Sequence, residues 1–89
     1  MKYNHMYSRN ARRDLLRLAS DIDRKKVIKK TEKLTLPFPN ELHIKHIRGS
    51  ITYYRLRVGR MRVLFEVLKK KKEIWILKIG YRQNFYRIH

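Results

Sequence analysis

The sequence contains no cysteine, and only seven of its 89 residues are acidic. Without cysteine, the chain has no disulfide framework, no thiol nucleophile and no thiolate metal site. Its uncharged apolar runs, such as residues 74–77, are far too short to span a membrane, and residues 1–5 lack the apolar stretch of a secretory signal. We therefore expect a soluble protein of the cytoplasm.

Basic residues outnumber acidic ones by 24 to 7, which gives a formal net charge of +17. So many positive charges in a small domain repel one another and favour a polyanionic partner, such as nucleic acid, an acidic membrane surface or an acidic protein. A solvated surface of the thermophile type would also be rich in lysine and arginine, but it would be enriched in glutamate as well. The imbalance therefore favours polyanion binding over solubility alone.

The length and the hydrophobic pattern predict one domain over residues 1–89, since so short a chain fills only one core. Residues 2–7 are typical of a short strand. From Arg9 the apolar spacing becomes helical. The apolar positions of this first predicted helix are Ala11, Leu15, Leu18, Ala19 and Ile22. Ser20 and Asp23 form a capping-box pattern that begins a second helix, and the prolines of residues 36–40 end it.

After Glu41 the apolar period becomes two. Residues 42–47 mark a strand or the approach to one, and residues 52–58, 61–67 and 74–79 are predicted strands. Gly59-Arg60 is a two-residue hairpin loop with glycine first, as a type II′ turn requires. The order β-α-α-β-β-β predicts an α+β fold, in which an N-terminal helical hairpin packs on one face of a small, mainly antiparallel sheet.

The alternation of the strands places several arginines on one face. Tyr53, Arg55 and Arg57 share the side opposite the apolar positions, and the tight turn sets Arg57 directly across from Arg62. Like charges in that position destabilise a sheet. Glu66 shares this face and could pair with Arg62, but one carboxylate cannot neutralise three arginines. Because arginine grips phosphate through two parallel hydrogen bonds, an anion site is favoured over a solvated face.

Cleavage of RNA without metal needs a group that takes the 2′-OH proton, cations for the developing phosphorane charge, and an acid for the leaving oxygen. The arginines meet the second need, but arginine is a poor proton carrier because it stays charged. We expect His43 and His46 to be surface residues. No phosphate loop, metal-ligand cluster or Ser/His/Asp set is visible. The residues alone indicate a basic RNA-binding domain with no metal and no cofactor.

Two motifs resemble those of a known protein family. The first is Ile47-Arg48-Gly49, then Tyr53-Tyr54-Arg55-Leu56-Arg57-Val58-Gly59, then Arg60-Met61-Arg62-Val63-Leu64-Phe65-Glu66-Val67. It resembles the central hairpin of RelE/ParE-type toxins, which commonly contain Leu-x-Gly, Tyr-Tyr-Arg-Ile-Arg-Val-Gly and Asp-Tyr-Arg-Val-Ile-Tyr-Glu-Val. The second, Gly80-Tyr81-Arg82-Gln83-Asn84-Phe85-Tyr86, is similar to the closing Gly-x-Arg-x-x-x-Tyr of that family. The resemblance covers essentially the whole chain.

The resemblance implies the toxin of a type II toxin–antitoxin system, a ribosome-dependent endoribonuclease that cleaves mRNA in the A site. Its implied partners are a small acidic RelB-like antitoxin and the ribosome with its mRNA, without a membrane or a small-molecule cofactor. The implied catalytic residues contact the phosphate, assist the leaving oxygen or position a base; they are Arg55, Arg57, Arg62, Arg82 and Tyr86. We expect further RNA contacts from Lys45, Arg48, Tyr53 and Arg60, with Tyr53 able to stack a base.

The chain also departs from the family pattern. Several RelE-type enzymes have lysine where Arg55 and Arg57 stand here, so the general base is unassigned, with Glu66 or an activated water as candidates. Arg60 replaces the usual aspartate after the hairpin glycine. The superfamily includes ParE-type gyrase inhibitors, so the alternatives are a gyrase-inhibiting toxin without nuclease activity and a non-enzymatic basic RNA- or ribosome-binding module. Arg82 and Tyr86 favour the RNA-cleaving branch.

Overall fold

The computed structural model describes residues 2–82. Within them, two helices and five strands occur in the order β1 (Asn4–Tyr7), α1 (Arg9–Leu16), α2 (Asp21–Thr31), β2 (His43–His46), β3 (Tyr53–Val58), β4 (Met61–Leu68) and β5 (Glu73–Tyr81). The strands form one sheet in the order β1-β5-β4-β3-β2, with only the β1–β5 pair parallel. The α+β class and the mainly antiparallel sheet are confirmed. The stretch after Glu41 contains a strand, β2, which adds a further edge strand to the predicted sheet.

Each helix begins at a serine whose hydroxyl oxygen accepts a backbone N–H bond from three residues further on. The distance is 3.0 Å at Ser8 and 3.2 Å at Ser20, and each bond satisfies a donor that the first helical turn leaves open. The predicted helix start at Ser20 is confirmed. The expectation that Ile22 continues the apolar stripe of the first helix is wrong, because α1 ends at Leu16 and Ile22 is 66% exposed.

The core lies between the helices and one face of the sheet. Leu56, Val63 and Phe65 of the central strands are fully buried, as are Ala11 and Val27 of the two helices. Each large apolar side chain buried in this way stabilises the fold by about 1.5–3 kcal/mol. The opposite face of the sheet has no helix over it within residues 2–82. Neither helix there is long and apolar enough to cross a bilayer.

The β3–β4 hairpin has the predicted register. Val58 pairs with Met61, which leaves Gly59 and one further residue as the turn. Gly59 has a φ of 58°, a left-handed conformation that glycine adopts without steric cost. Arg57 therefore faces Arg62 across the strands, as expected from the sequence.

Strand β5 contains a bulge. Phe65 pairs with Ile76, but the preceding residue of β4, Leu64, pairs with Lys78, so Leu77 is an extra residue in β5. A bulge of this kind bends the strand and shifts which residues face each side.

Helix α1 covers the edge of β5 beyond the bulge, where β1 has already ended. The Leu77 carbonyl accepts hydrogen bonds from the Ser8 hydroxyl at 3.2 Å and from the Asn10 side-chain amide at 3.1 Å. Two residues further along β5, the Asp14 carboxylate accepts a hydrogen bond from the Ile79 N–H at 2.9 Å. Side chains of α1 and of its N-cap residue Ser8 thus replace a neighbouring strand and satisfy the backbone groups at the end of β5.

Candidate functional site on the open face of the sheet

The open face of the sheet contains a basic pocket of about 550 Å³, which we call the arginine pocket. Its lining residues are His43, Ile44 and Lys45 of β2, Arg55 and Arg57 of β3, Arg62 of β4, and Arg82, which follows β5. None of these residues, all within the described chain, is acidic. A pocket lined by charges of one sign concentrates the electric field, and positive charges attract an anion to it.

Strand pairing brings the pocket residues together. On β3, Arg57 lies between His43 of β2 and Arg62 of β4, and Arg55 is paired with Lys45. Residues that are directly opposite in neighbouring strands point to the same face. The structure therefore gathers Arg55, Arg57, Arg62 and Lys45 of the predicted site in one place.

Arg82 reaches the arginine pocket because of the bulge in β5. Ile76 faces the helices and is fully buried, so strict alternation would turn every later even-numbered residue, including Arg82, to the helix side. The extra residue, Leu77, reverses the alternation. Ile79 is then buried, and Arg82 lies on the open face with the other arginines.

Arg62 is buried and hydrogen-bonded, although it lies in a site lined by cations. Its residue surface is only 7% exposed. One guanidinium nitrogen donates hydrogen bonds to the carbonyl oxygens of Gly59 at 3.3 Å and Met61 at 3.0 Å. Arg57, across the strands, is exposed. Arg57 donates one hydrogen bond to the same Gly59 carbonyl at 3.5 Å, and the pair combines one buried cation with one exposed cation.

The acidic residues of the open face lie away from the pocket. Glu66 accepts a hydrogen bond from the Thr52 hydroxyl at 2.9 Å, and Glu73 accepts one from the Trp75 indole N–H at 3.0 Å. Glu66 is four residues along β4 from Arg62, a span of about 13 Å at the usual rise of a strand. Its carboxylate thus neither lines the arginine pocket nor stands close to Arg62.

Arg60 lies on the helix side of the hairpin tip. Its guanidinium is 3.5 Å from the Asp23 carboxylate and 5.3 Å from the centre of the Tyr81 ring. The Tyr81 hydroxyl donates to the same carboxylate at 2.7 Å and accepts the Ala19 N–H at 2.6 Å. The pKa of Asp23 is lowered, first by the Tyr81 hydrogen bond and then by Arg60, against the opposing effect of burial. We call Asp23, Arg60 and Tyr81 the Asp23 cluster.

The remaining predicted site residues are scattered. Arg48 is exposed in the segment between β2 and β3, and Tyr53 is 37% exposed at the start of β3. Neither lines the arginine pocket. Tyr86 lies outside the described residues.

His43 is a pocket residue that the sequence interpretation left on the surface. It is exposed, but its place opposite Arg57 puts it inside the arginine pocket. The period of two that begins at residue 42 gives His43 and Lys45 a common face, and that signal was available in the sequence. His46 points to the other side and packs its ring edge against Tyr54, with the ring centres 5.1 Å apart. Residues 2–82 contain no group of three side chains suited to hold a metal ion.

Comparisons with known proteins agree with this architecture. The family model described as the ParE toxin of the type II toxin–antitoxin system parDE matches residues 6–86. The chain is 36% identical over 89 residues to the RelE1 protein of Methanocaldococcus jannaschii, with 98% of each sequence covered.

Two solved structures extend the comparison. The archaeal RelE–RelB complex from Pyrococcus horikoshii OT3 has a TM-score of 0.78 at 25% identity, with 99% of this chain and 100% of that chain covered. The RelB–RelE antitoxin–toxin complex from Methanococcus jannaschii has a TM-score of 0.73 at 26% identity, covering 94% and 98%. The present chain therefore belongs to the RelE/ParE superfamily, the toxins of type II toxin–antitoxin systems.

Proposed function

We propose that this toxin is a ribosome-dependent endoribonuclease that cleaves mRNA in the A site and so inhibits translation in the cytoplasm. The observation that carries the proposal is the arginine pocket, where four arginines and a lysine meet without an acidic neighbour in the lining. Repulsion between these cations costs the free protein stability, and a phosphodiester would relieve it. The similarity to RelE proteins supports the same activity.

The chemistry needs no metal or cofactor. The 2′ oxygen attacks its own phosphate, the bond to the 5′ oxygen breaks, and negative charge grows on the two remaining phosphate oxygens. Arg62, already fixed by two carbonyl groups, is suited to hold one of these oxygens, and Arg57 another. Arg82, which follows β5, is assigned to the leaving oxygen. Each such charge-assisted bond contributes about 1.5–3 kcal/mol, and bonds that strengthen in the transition state raise the rate.

A second candidate function is suggested by the family model, which is named for ParE. In that case the protein would inhibit gyrase by protein contacts, without nuclease activity. The pocket favours the first function over this one, because arginine grips phosphate through two parallel hydrogen bonds and four arginines line it. The non-enzymatic RNA-binding module is the third possibility, and only the absence of cleavage would distinguish it from the first.

In vitro translation followed by primer extension on the mRNA tests these functions. We expect discrete cuts in the A site with the parent protein and none with the buffer control. Intact mRNA together with trapped gyrase–DNA complexes would support the second function. Ribosome binding with neither cuts nor trapped gyrase would support the third.

We further propose that a small acidic, RelB-like antitoxin holds this toxin in the cell. Exposed apolar side chains lie among its cations: Ile51 is 89% exposed, beside a pocket of about 390 Å³ that Lys69, Lys70 and Lys71 also line. An acidic amphipathic segment matches both features. Pull-down from the native host should recover a small acidic protein in near-equal amount, and Ile51→Ser should weaken its capture. Recovery of ribosomes or nucleic acid alone would contradict the antitoxin.

A further inference from the structure

His43 completes a row of three polar side chains across the open face. The row runs from His43 on β2 through Arg57 on β3 to Arg62 on β4, each residue being the register partner of the next. Paired residues lie about 5 Å apart at their Cα atoms, so the row spans about 10 Å. An imidazole thus stands next to the two guanidinium groups that we assign to the phosphate.

No other side chain in the lining can exchange a proton readily near neutral pH. The charged groups that face His43 are Lys45 on its own strand, Arg55 and Arg57 on β3, Arg62 on β4, and Arg82 after β5. Arginine stays protonated, and lysine acts as a base chiefly where it is buried, whereas Lys45 is exposed. Imidazole is the side chain that changes charge between pH 5 and pH 8. Glu66, the candidate base from the sequence, is bonded to Thr52 at the other end of the face.

We propose that His43 is the proton acceptor of the cleavage reaction, an inference that rests on the proposed ribonuclease function. The unprotonated ring nitrogen takes the proton of the 2′-OH as the bond from the 2′ oxygen to phosphorus forms. The bond from phosphorus to the 5′ oxygen breaks, and that oxygen takes a proton from water. The products are a 2′,3′-cyclic phosphate and a 5′-OH end, and the imidazolium returns its proton to solvent.

The position of His43 in the sheet suits this cycle. Strand β2 is the edge of the sheet, and His43 is exposed, so water reaches the ring after each turnover. Arg57 adjoins it in the register, so a phosphate held by Arg57 would present its ribose close to the imidazole. The strand pairing fixes the backbone spacing of His43 and Arg57, so that a phosphate bound by Arg57 can bring its 2′-OH within reach of the imidazole.

The test compares single-turnover cleavage on programmed ribosomes by the parent, His43→Ala, His43→Gln and His46→Ala. His46 is the matched control, since it lies on the same strand but faces Tyr54. We expect both His43 variants to lose roughly 10²–10⁴-fold in the rate of the chemical step, as removal of a general base does, while ribosome binding changes little. The acidic limb of the parent's pH–rate profile should disappear, and added imidazole should restore part of the rate of His43→Ala only. The His46→Ala variant should cut like the parent.

The contrary outcomes are distinct. If the parent cuts but His43→Ala cuts at the same rate with the same pH profile, the base assignment is wrong and the ribonuclease function stands. If His43→Ala weakens ribosome binding alone and imidazole does not rescue it, His43 is a contact residue and the assignment is also wrong. If the parent leaves mRNA intact, the proposed function fails, and the assignment fails with it. Thermal unfolding of His43→Gln beside the parent excludes misfolding as the cause of a lost rate.

Discussion

Arg60 and Arg62 are two residues apart at the β3–β4 hairpin, yet they have opposite environments. Arg60, on the helix side, lies against the Asp23 carboxylate and the Tyr81 ring. Arg62, on the open face, lies across from Arg57 in a pocket with no acidic lining residue. The helix side thus neutralises its cation, whereas the open face accumulates cations. Basic side chains therefore have two roles in this protein: some join elements of the fold, and others are available to bind an anion.

The largest expected effect is on the cleavage rate, which should differ between variants of Arg62 and Arg60. We expect Arg62→Ala to lower the single-turnover cleavage rate by roughly 10²–10³-fold, the usual loss when one fixed donor to a transition-state anion is removed. Arg60→Ala, which removes an equal charge from the Asp23 cluster, should stay within a few-fold of the parent. Programmed ribosomes and primer extension give both rates.

An Arg62→Lys variant refines this comparison, because it keeps the charge but loses the planar fork, and it should recover only part of the rate. Equal losses from Arg60→Ala and Arg62→Ala would mean that total charge decides activity and that the pocket does not.

An intermediate effect should appear in stability against acid. The pKa of Asp23 is lowered in the folded chain, with the Tyr81 hydrogen bond as the first cause. A carboxylate with a depressed pKa stabilises the fold above its unfolded pKa, and this contribution is lost as the pH falls through the folded value. Below about pH 4, we therefore expect the urea concentration at the unfolding midpoint to decrease more for the parent than for Asp23→Asn, which lacks the titrating group.

At pH 7 the order should be reversed, with Asp23→Asn the less stable of the two. Arg57→Ala, in the other region, should show the same pH dependence as the parent. If Asp23→Asn and the parent follow one curve throughout, the Asp23 cluster does not join the hairpin to α2 in the way its geometry indicates.

The smallest expected effect concerns salt. A single phosphate contact to single-stranded RNA changes the slope of log affinity against log salt by about 0.7. We expect Arg57→Ala to reduce the slope by about that amount and Arg60→Ala to leave it unchanged.

Arg57→Ala should also leave the free energy of unfolding within about 0.5 kcal/mol or raise it, since Arg57 is exposed and opposite a like charge. A clear loss of stability would show that Arg57 is structural.

Features that depend on local rules could be predicted from the sequence. Ser20 begins α2 because a hydroxyl can cap the first turn wherever the chain leaves one, and Arg57 faces Arg62 because a two-residue turn allows one register. The burial of Phe65 and its alternating neighbours follows from the pleat alone. These positions need no information from distant parts of the chain.

Features that depend on distant contacts could not. The alternation of β4 places Arg62 on the face opposite the core, but it does not show that Arg62 is buried there or that two carbonyl oxygens accept its hydrogen bonds. Arg60 turns to the helix side because Asp23, which is 37 residues away, lies there. The bulge that brings Arg82 to the pocket lies at Leu77, whose carbonyl accepts hydrogen bonds from Ser8 and Asn10 near the other end of the chain. His43 joins the pocket only through the pairing of β2 with β3, which no local pattern fixes.

The order of the sheet has a consequence for the timing of synthesis. Strand β5 is made after every other described element, yet it lies between β1 and β4 in the sheet. Helix α1 and β1, made first, both rest on β5, and the arginine pocket is incomplete without Arg82. Pairing between such distant segments must await the whole chain and is slow to form. A nascent chain on its own ribosome therefore carries most of the toxin's charge before it has the toxin's pocket.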